Sequence, residues 1–309
     1  MSHPENRLKR YKSFVLALIV YTFLIILWGA WVRISGSGDG CGDHWPLCQG
    51  QILPEFEQYK TLIEFAHRLK SGLYGLLIIG MYFWARKLFQ KGHTGRAVAL
   101  ASLIFTITEG LLGAALVKFS LVGTNDSLVR AFSMSLHMIN SLLLTGSLTL
   151  TWLFARTDSM HWRPEKENLR KWAGLLILLI LIIATTGAFA SLAVTLFPSE
   201  SLEGGIIADF SADSHPLIRL RILHPILALV IGSSLGLVIA YSLSSVEAVV
   251  KKRAQILLGL LVTEILFGLT TLFSLAPVWM KLVHLQLAHL VWMSLLATLA
   301  ATLLAPKKN

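Results

Sequence analysis

Three long stretches without a single Asp, Glu, Lys or Arg constrain this 309-residue chain more than anything else in it. They run from Phe14 to Val32, from Trp172 to Ser199 and from Leu282 to Pro306, the last polar mainly through its histidines. A helix needs about 20 apolar residues to cross a bilayer, whereas a transmembrane barrel shows strands of roughly 10 residues that alternate in polarity. The runs are of the first kind. Only 14% of the residues are charged, against about 25% in soluble domains. The chain therefore reads as an all-α integral membrane protein, with spans expected at about 13–33, 61–85, 97–117, 131–155, 172–197, 218–243, 254–275 and 281–304. The first run is too long for a signal-peptide core and no small-residue cleavage site closes it, so it reads as the first span.

Eight spans place both termini on one side. Clusters such as Arg7, Lys9, Arg10 and Lys12, or Lys251, Lys252 and Arg253, fall on that side, while Asp39, Asp43, Glu200 and Asp213 fall opposite. Lys/Arg bias marks the cytoplasmic face, so the expectation is a bacterial inner-membrane protein with both termini cytoplasmic. The formal charge of +10 is then a record of topology and not a nucleic-acid surface. Some basic residues defy the bias. Arg33, Lys60, Arg68, Lys70, Lys118, Arg130, Arg219, Arg221 and Lys281 lie near the outer ends of spans. Snorkelling to headgroups accounts for some; neutralising a buried anionic ligand is the other reading.

The chain also repeats itself. Gly29-Ala30 in span one matches Gly187-Ala188 in span five, and Thr108-Glu109 through Gly113 matches Thr263-Glu264 through Gly268. His67 corresponds to His224, and His137 to His284. With four spans per repeat the halves run parallel. The expected organisation is two tandem pseudo-symmetric four-helix bundles, residues 1–155 and 172–309, joined by a cytoplasmic linker at 156–171.

Four histidines, His67, His137, His224 and His284, lie at one depth in the even-numbered spans. Facing helices of a bundle can aim two imidazoles at one metal, and a porphyrin between them has a six-coordinate iron. Copper and zinc also accept imidazole; heme is favoured because no thiolate or carboxylate cluster shares that level. Arg68 and Arg221 are placed to meet propionates. His289 competes with His284, but the repeat favours His284 and leaves His289 as a packed histidine. Glu64 shares a helix face with His67, with a helix-start role as its bland alternative. Glu109 and Glu264, mid-span, read as structural carboxyls at matching repeat positions. Cys41 and Cys48 fall in a loop on the oxidising side, where a disulfide persists, either as a staple or as a redox pair.

The run Gly29-Ala30-Trp31-Val32-Arg33-Ile34-Ser35-Gly36-Ser37-Gly38, with Cys41 and Trp45-Pro46-Leu47-Cys48, resembles the heme A synthase family. Glu64-Phe65-Ala66-His67-Arg68, Leu136-His137, His224-Pro225 and Val283-His284 extend the resemblance over all eight spans. It implies an oxidoreductase that converts heme O to heme A for terminal oxidases, taking a porphyrin methyl to a formyl group by successive hydroxylations and dehydration. It further implies a resident heme b on His224 and His284, substrate heme O at His67 and His137, and Glu64 as the acid/base or charge-stabilising group. Heme O synthase and oxidase assembly factors are the implied partners, with self-association open. The alternatives are a diheme b-type electron carrier and a heme transporter or chaperone. The chain departs from some members in having no second cysteine pair between Phe197 and Pro216, and it has Glu109 and Glu264 where an amide is expected.

Overall fold

The computed structural model describes residues 4–55, 58–156, 158–244 and 247–306. Among them the chain forms ten α-helices: α1 (Pro4–Ile34), α2 (Tyr59–Leu88), α3 (Thr94–Lys118), α4 (Leu128–Leu153), α5 (Glu167–Leu196), α6 (Leu202–Phe210), α7 (Pro216–Arg221), α8 (Leu223–Ser242), α9 (Ala248–Phe273) and α10 (Val278–Leu303). Several begin at side-chain caps. Ser127 Oγ accepts from the Arg130 N–H at 3.2 Å and Ser201 Oγ from the Gly204 N–H at 3.0 Å, satisfying amides that have no intrahelical partner. A short antiparallel ribbon, β1 (Met160–Trp162) with β2 (Leu304–Pro306), ties the segment after α4 to the end of α10.

Seven segments are long and apolar enough to cross a membrane: α1, α3, α4, α5, α7 with α8, α9 and α10. The sequence leads one to expect eight. The exception is α2, whose 30 residues have the length but include Glu64, Arg68, Lys70, Arg86 and Lys87. Two other expectations need adjusting. The span expected at 218–243 is broken at Ile222, between α7 and α8. Pro225 explains the break, because it has no N–H to donate to the carbonyl four residues back. The expected linker at 156–171 is partly structured, since α5 already starts at Glu167, whose carboxylate pairs with Lys171 one turn on at 3.3 Å. The loop after α5 contains a helix of its own, α6, which hydropathy at membrane-span length does not register.

Polarity is distributed inside out, as lipid requires. Leu16, Val20, Leu24, Leu76, Leu237 and Val238 are exposed, while Thr22, Ser135, Asn140, Ser141, Thr145 and Thr151 are buried. Lipid gives apolar side chains no reason to retreat, so small and polar residues collect at helix–helix contacts instead. Helix α1 packs on α2 and α4, and α3 on α2 and α4; α5 packs on α8 and α10, and α9 on α8 and α10. Contacts of α4 with α5 and α10, and of α1 with α10, join these two sets. At the α4–α10 seam, the Trp292 indole N–H donates to the Leu142 carbonyl at 2.6 Å. A Cβ at Gly146 would lie 2.5 Å from Leu296 Cδ1 and 2.8 Å from Trp292 Nε1, so a larger residue would have to displace both side chains, including the indole that makes this hydrogen bond.

Candidate functional site

Each of the four in-line histidines is seated against a glycine of the preceding long helix. An added methyl at Gly29 would lie 3.1 Å from His67 Cε1, at Gly113 3.8 Å from His137 Nε2, at Gly187 2.9 Å from His224 Cε1, and at Gly268 2.9 Å from His284 Cε1. The internal repeat carries all four glycines, Gly29 with Gly187 and Gly113 with Gly268. In the sequence they are marks of duplication only; the structure shows them as the floor of the site. The missing Cβ lets the rings of His67, His224 and His284 lie close to a neighbouring backbone, while His137 makes an ordinary contact with Gly113.

The ring nitrogens are partnered unequally. His137 Nδ1 lies 2.8 Å from Glu109 Oε1, and His224 Nδ1 lies 3.2 Å from the Ile183 carbonyl. His284 Nδ1 lies 3.1 Å from Glu264 Oε2, at an angle that does not make a hydrogen bond. His67 Nδ1 is buried without a partner among the described residues. No Nε2 of the four is hydrogen-bonded among the described residues. An acceptor on Nδ1 orients an imidazole and leaves Nε2 to a metal. The rings of His224 and His284 are 6.2 Å apart, inclined at 68°. Two imidazoles bound through Nε2 to one metal at about 2 Å each put their ring centres roughly 6 Å apart, so this pair has the spacing of two axial ligands. His67 and His137 lie within electrostatic reach of each other. His289 differs: it is fully buried, with Nδ1 2.9 Å from the Leu285 carbonyl and Nε2 3.5 Å from Ser141 Oγ.

Glu109 and Glu264 are thus the neighbours of ligand-type histidines, a role that linear spacing could not reveal. Only the first is braced. The Asn140 amide donates to Glu109 Oε2 and, at 2.8 Å, to the Phe105 carbonyl, while Thr108 donates to Asn140 Oδ1 at 2.6 Å. The residue in α10 that matches Asn140, three after the histidine, is Leu287. The two histidine pairs therefore differ in polarity on their Nδ1 sides.

The loop between α1 and α2 closes through a Cys41–Cys48 disulfide with Cα atoms 4.5 Å apart, and α2 holds it. Glu64, 3% exposed, accepts the Cys41 N–H at 2.8 Å and pairs with Arg68 through two guanidinium nitrogens, Nε at 3.1 Å. Arg68 Nη1 donates to the carbonyls of His44 and Leu47, each at 2.6 Å. The backbone of Gly40 rests on α2, where a Cβ would collide with the Lys60 carbonyl. The second half has an analogous clamp. Arg221 Nε donates to Asp209 of α6 at 2.6 Å, and its Nη2 reaches Ser199 Oγ at 3.2 Å and the Gly205 carbonyl at 3.1 Å. Both arginines expected near propionates are engaged with their own loops. Asp209 escapes sequence reasoning because it lies on another element.

Comparison with known proteins places the chain in a family. A protoheme IX farnesyltransferase of Thermus thermophilus is 37% identical over 289 residues, covering 92% of this chain and 47% of that protein. A heme A synthase of Alkalihalophilus pseudofirmus is 34% identical over 161 residues, 52% of each chain. One from Bacillus licheniformis is 32% identical over 207 residues, 64% of this chain and 65% of that one. The chain spans about half the length of the first two. Across residues 12–296, nearly its whole length, it matches the family described as COX15-CtaA, cytochrome oxidase assembly protein. The chain belongs to that family.

Proposed function

We propose that this protein is a heme A synthase, oxidising a methyl group of heme O to the formyl group of heme A. The observation that carries the reading is the pair of duplicated histidine sites, each ring against a glycine with no hydrogen bond on Nε2 among the described residues, of which one has ring centres 6.2 Å apart, as two imidazoles sharing one metal would. His224 and His284 would hold a resident heme b, and His67 and His137 would receive the substrate heme. Bound heme iron supplies the redox chemistry. The chain's own residues position and exchange protons: Glu109, braced by Asn140, aims His137, and the Glu64 carboxylate, one turn from His67, takes up protons as the methyl is oxidised. The relative named a farnesyltransferase leaves 53% of its length outside the match, room for the transfer its name records, which makes heme O supply a neighbouring step.

The finer architecture follows from the same reading. Helix α2 is the eighth span, its charges confined to the ends and to the site. Residues 1–155 and 172–309 are the two halves of a parallel repeat around the linker at 156–171. In a bacterial inner membrane the disulfide loop faces outward and both termini face the cytoplasm, following the Lys/Arg bias. Arg68 and Arg221 set the loops over the two sites, within one turn of His67 and His224, where a propionate would share them. A diheme electron carrier is the second reading because of the repeat. The asymmetry speaks against it, since only the Glu109 beside His137 is braced by an amide and only His67 has a carboxylate three residues before it, Arg221 standing at the matching place before His224. Extracting pigment from protein purified from heme O-producing cells separates the two. Heme A or hydroxylated heme O is expected beside heme b, and heme b alone would defeat the synthase assignment.

The glycine floor gives a prediction of its own. Gly187→Ala places a methyl 2.9 Å from the His224 ring, so the ring must turn and resident heme should be largely lost or change its axial-ligand spectrum. Gly174→Ala, on the same helix with nothing within 4 Å, should retain the wild-type spectrum. Equal spectra for both variants would remove the glycine from the site.

A further inference from the structure

Three cations gather where the two helix sets meet, at the end of the molecule that carries the disulfide. Arg33 closes α1, Arg130 opens α4 and Lys281 opens α10. Arg33 lies within electrostatic reach of both Arg130 and Lys281, so it is repelled by each. Among the described residues none has a carboxylate within 4 Å. Arg33 donates across the seam to Ser191 Oγ of α5 at 2.7 Å. Arg130 is 3% exposed; its Nη1 donates to the Gly123 and Asn125 carbonyls at 2.8 and 2.6 Å, and its Nε is buried without an acceptor among the described residues. The Lys281 ammonium makes no hydrogen bond among the described residues. Asp39 is within electrostatic reach of Arg130, but its ion pair is with Lys60, at 3.5 Å.

A guanidinium does not give up its charge in a protein, and a buried charge without a counter-charge is costly. Buried Arg130, with one nitrogen unsatisfied, stands with the partly buried Arg33 and Lys281 at a helix seam where no carboxylate is ion-paired to any of them among the described residues, and they form a site in want of an anion. We propose that Arg33, Arg130 and Lys281 form a binding site for an anionic carboxylate or phosphate group, belonging to a ligand whose apolar body lies along the helices. Its position identifies the foremost source. Lys281 is one turn before His284, and Arg33 is one turn beyond Gly29, which floors His67. The propionates of a porphyrin held at the histidine level, directed toward the disulfide end, would meet these cations, which unlike Arg68 and Arg221 have no carboxylate already in place. The propionate assignment rests on the heme reading above; the anion site does not. The other source of the same chemistry is a phospholipid headgroup.

The test uses full-length protein with Lys281→Met and Arg33→Gln. The Lys281 ammonium has no hydrogen bond to lose, so its variant folds even if the loss of the Ser191 contact damages the other. Two quantities are measured: the rate of heme loss to excess apomyoglobin, and the phosphatidylglycerol retained through detergent purification. With propionates at the site, each variant loses heme about tenfold faster, the effect of one charge-assisted contact, with retained lipid unchanged. With a lipid phosphate there, heme loss is unchanged and retained phosphatidylglycerol falls severalfold. No change in either quantity for Lys281→Met overturns the site. Wild-type protein that binds no heme at all would sink the proposed function, while the lipid measurement would still decide whether the anion site exists.

Discussion

His224→Ala and His284→Ala are each expected to strip the resident heme from the purified protein, while His67→Ala and His137→Ala leave it in place and abolish heme A. The difference follows from the geometry of the two pairs. The ring centres of His224 and His284 lie 6.2 Å apart, and on the proposed assignment each would supply one ligand to the same resident heme, so deleting either should loosen its hold. His289 cannot step in for His284, because it is fully buried with both nitrogens engaged. The other pair sits in the α1–α4 set, so its loss does not reach the resident heme. The measurement is heme content per protein together with chromatography of extracted pigments. Equal loss of heme from all four variants would show that the sites are not divided between cofactor and substrate.

Glu64→Gln should fold, keep its resident heme and disulfide, and form heme A at least about 100-fold more slowly, within the 10²–10⁴-fold range of a positioned acid/base group. Glutamine keeps the side-chain volume and an oxygen to accept the Cys41 N–H, so the loop stays seated. It is also held independently of the carboxylate, by Arg68 on the His44 and Leu47 carbonyls and by Thr61 Oγ1 on the Gly40 carbonyl at 2.8 Å. What the substitution removes is charge and basicity. Cys41→Ala separates the two roles: it loosens the loop but leaves the carboxylate, and should lower activity without altering the heme spectrum. If Glu64→Gln makes heme A at the wild-type rate while Cys41→Ala does not, the residue is a clamp for the loop, and the proton acceptor lies elsewhere.

The histidines are legible in the sequence because an ionisable group inside an apolar run is expensive wherever it points. Four at one depth in a duplicated chain point to shared ligand work more than to four separate packing accidents. The break at Ile222 is signalled too, by Pro225, although hydropathy runs through it as one span. Other features are not legible. Glu109 meets His137 across two helices, and Asn140 reaches back from the turn after that histidine to brace the carboxylate. Glu64 falls on the expected face of α2, yet its oxygens turn toward Cys41 and Arg68. Spacing reports a residue's angle around its own helix and says nothing of what stands opposite.

The sequence by itself determined that this chain is a multi-pass helical protein, with a duplicated set of histidines and two cysteines placed to bridge. Those properties arise from transfer free energies and periodicities that are local and nearly additive along the chain. Only the tertiary structure decided which glycine lies under which imidazole, which Nδ1 is held and which is not, and that Arg68 and Arg221 clamp loops while Arg33, Arg130 and Lys281 gather at one seam with no ion-paired carboxylate among the described residues. These depend on the rotation and close approach of helices brought together by packing in lipid, where small residues set the distance. No local preference carries that information.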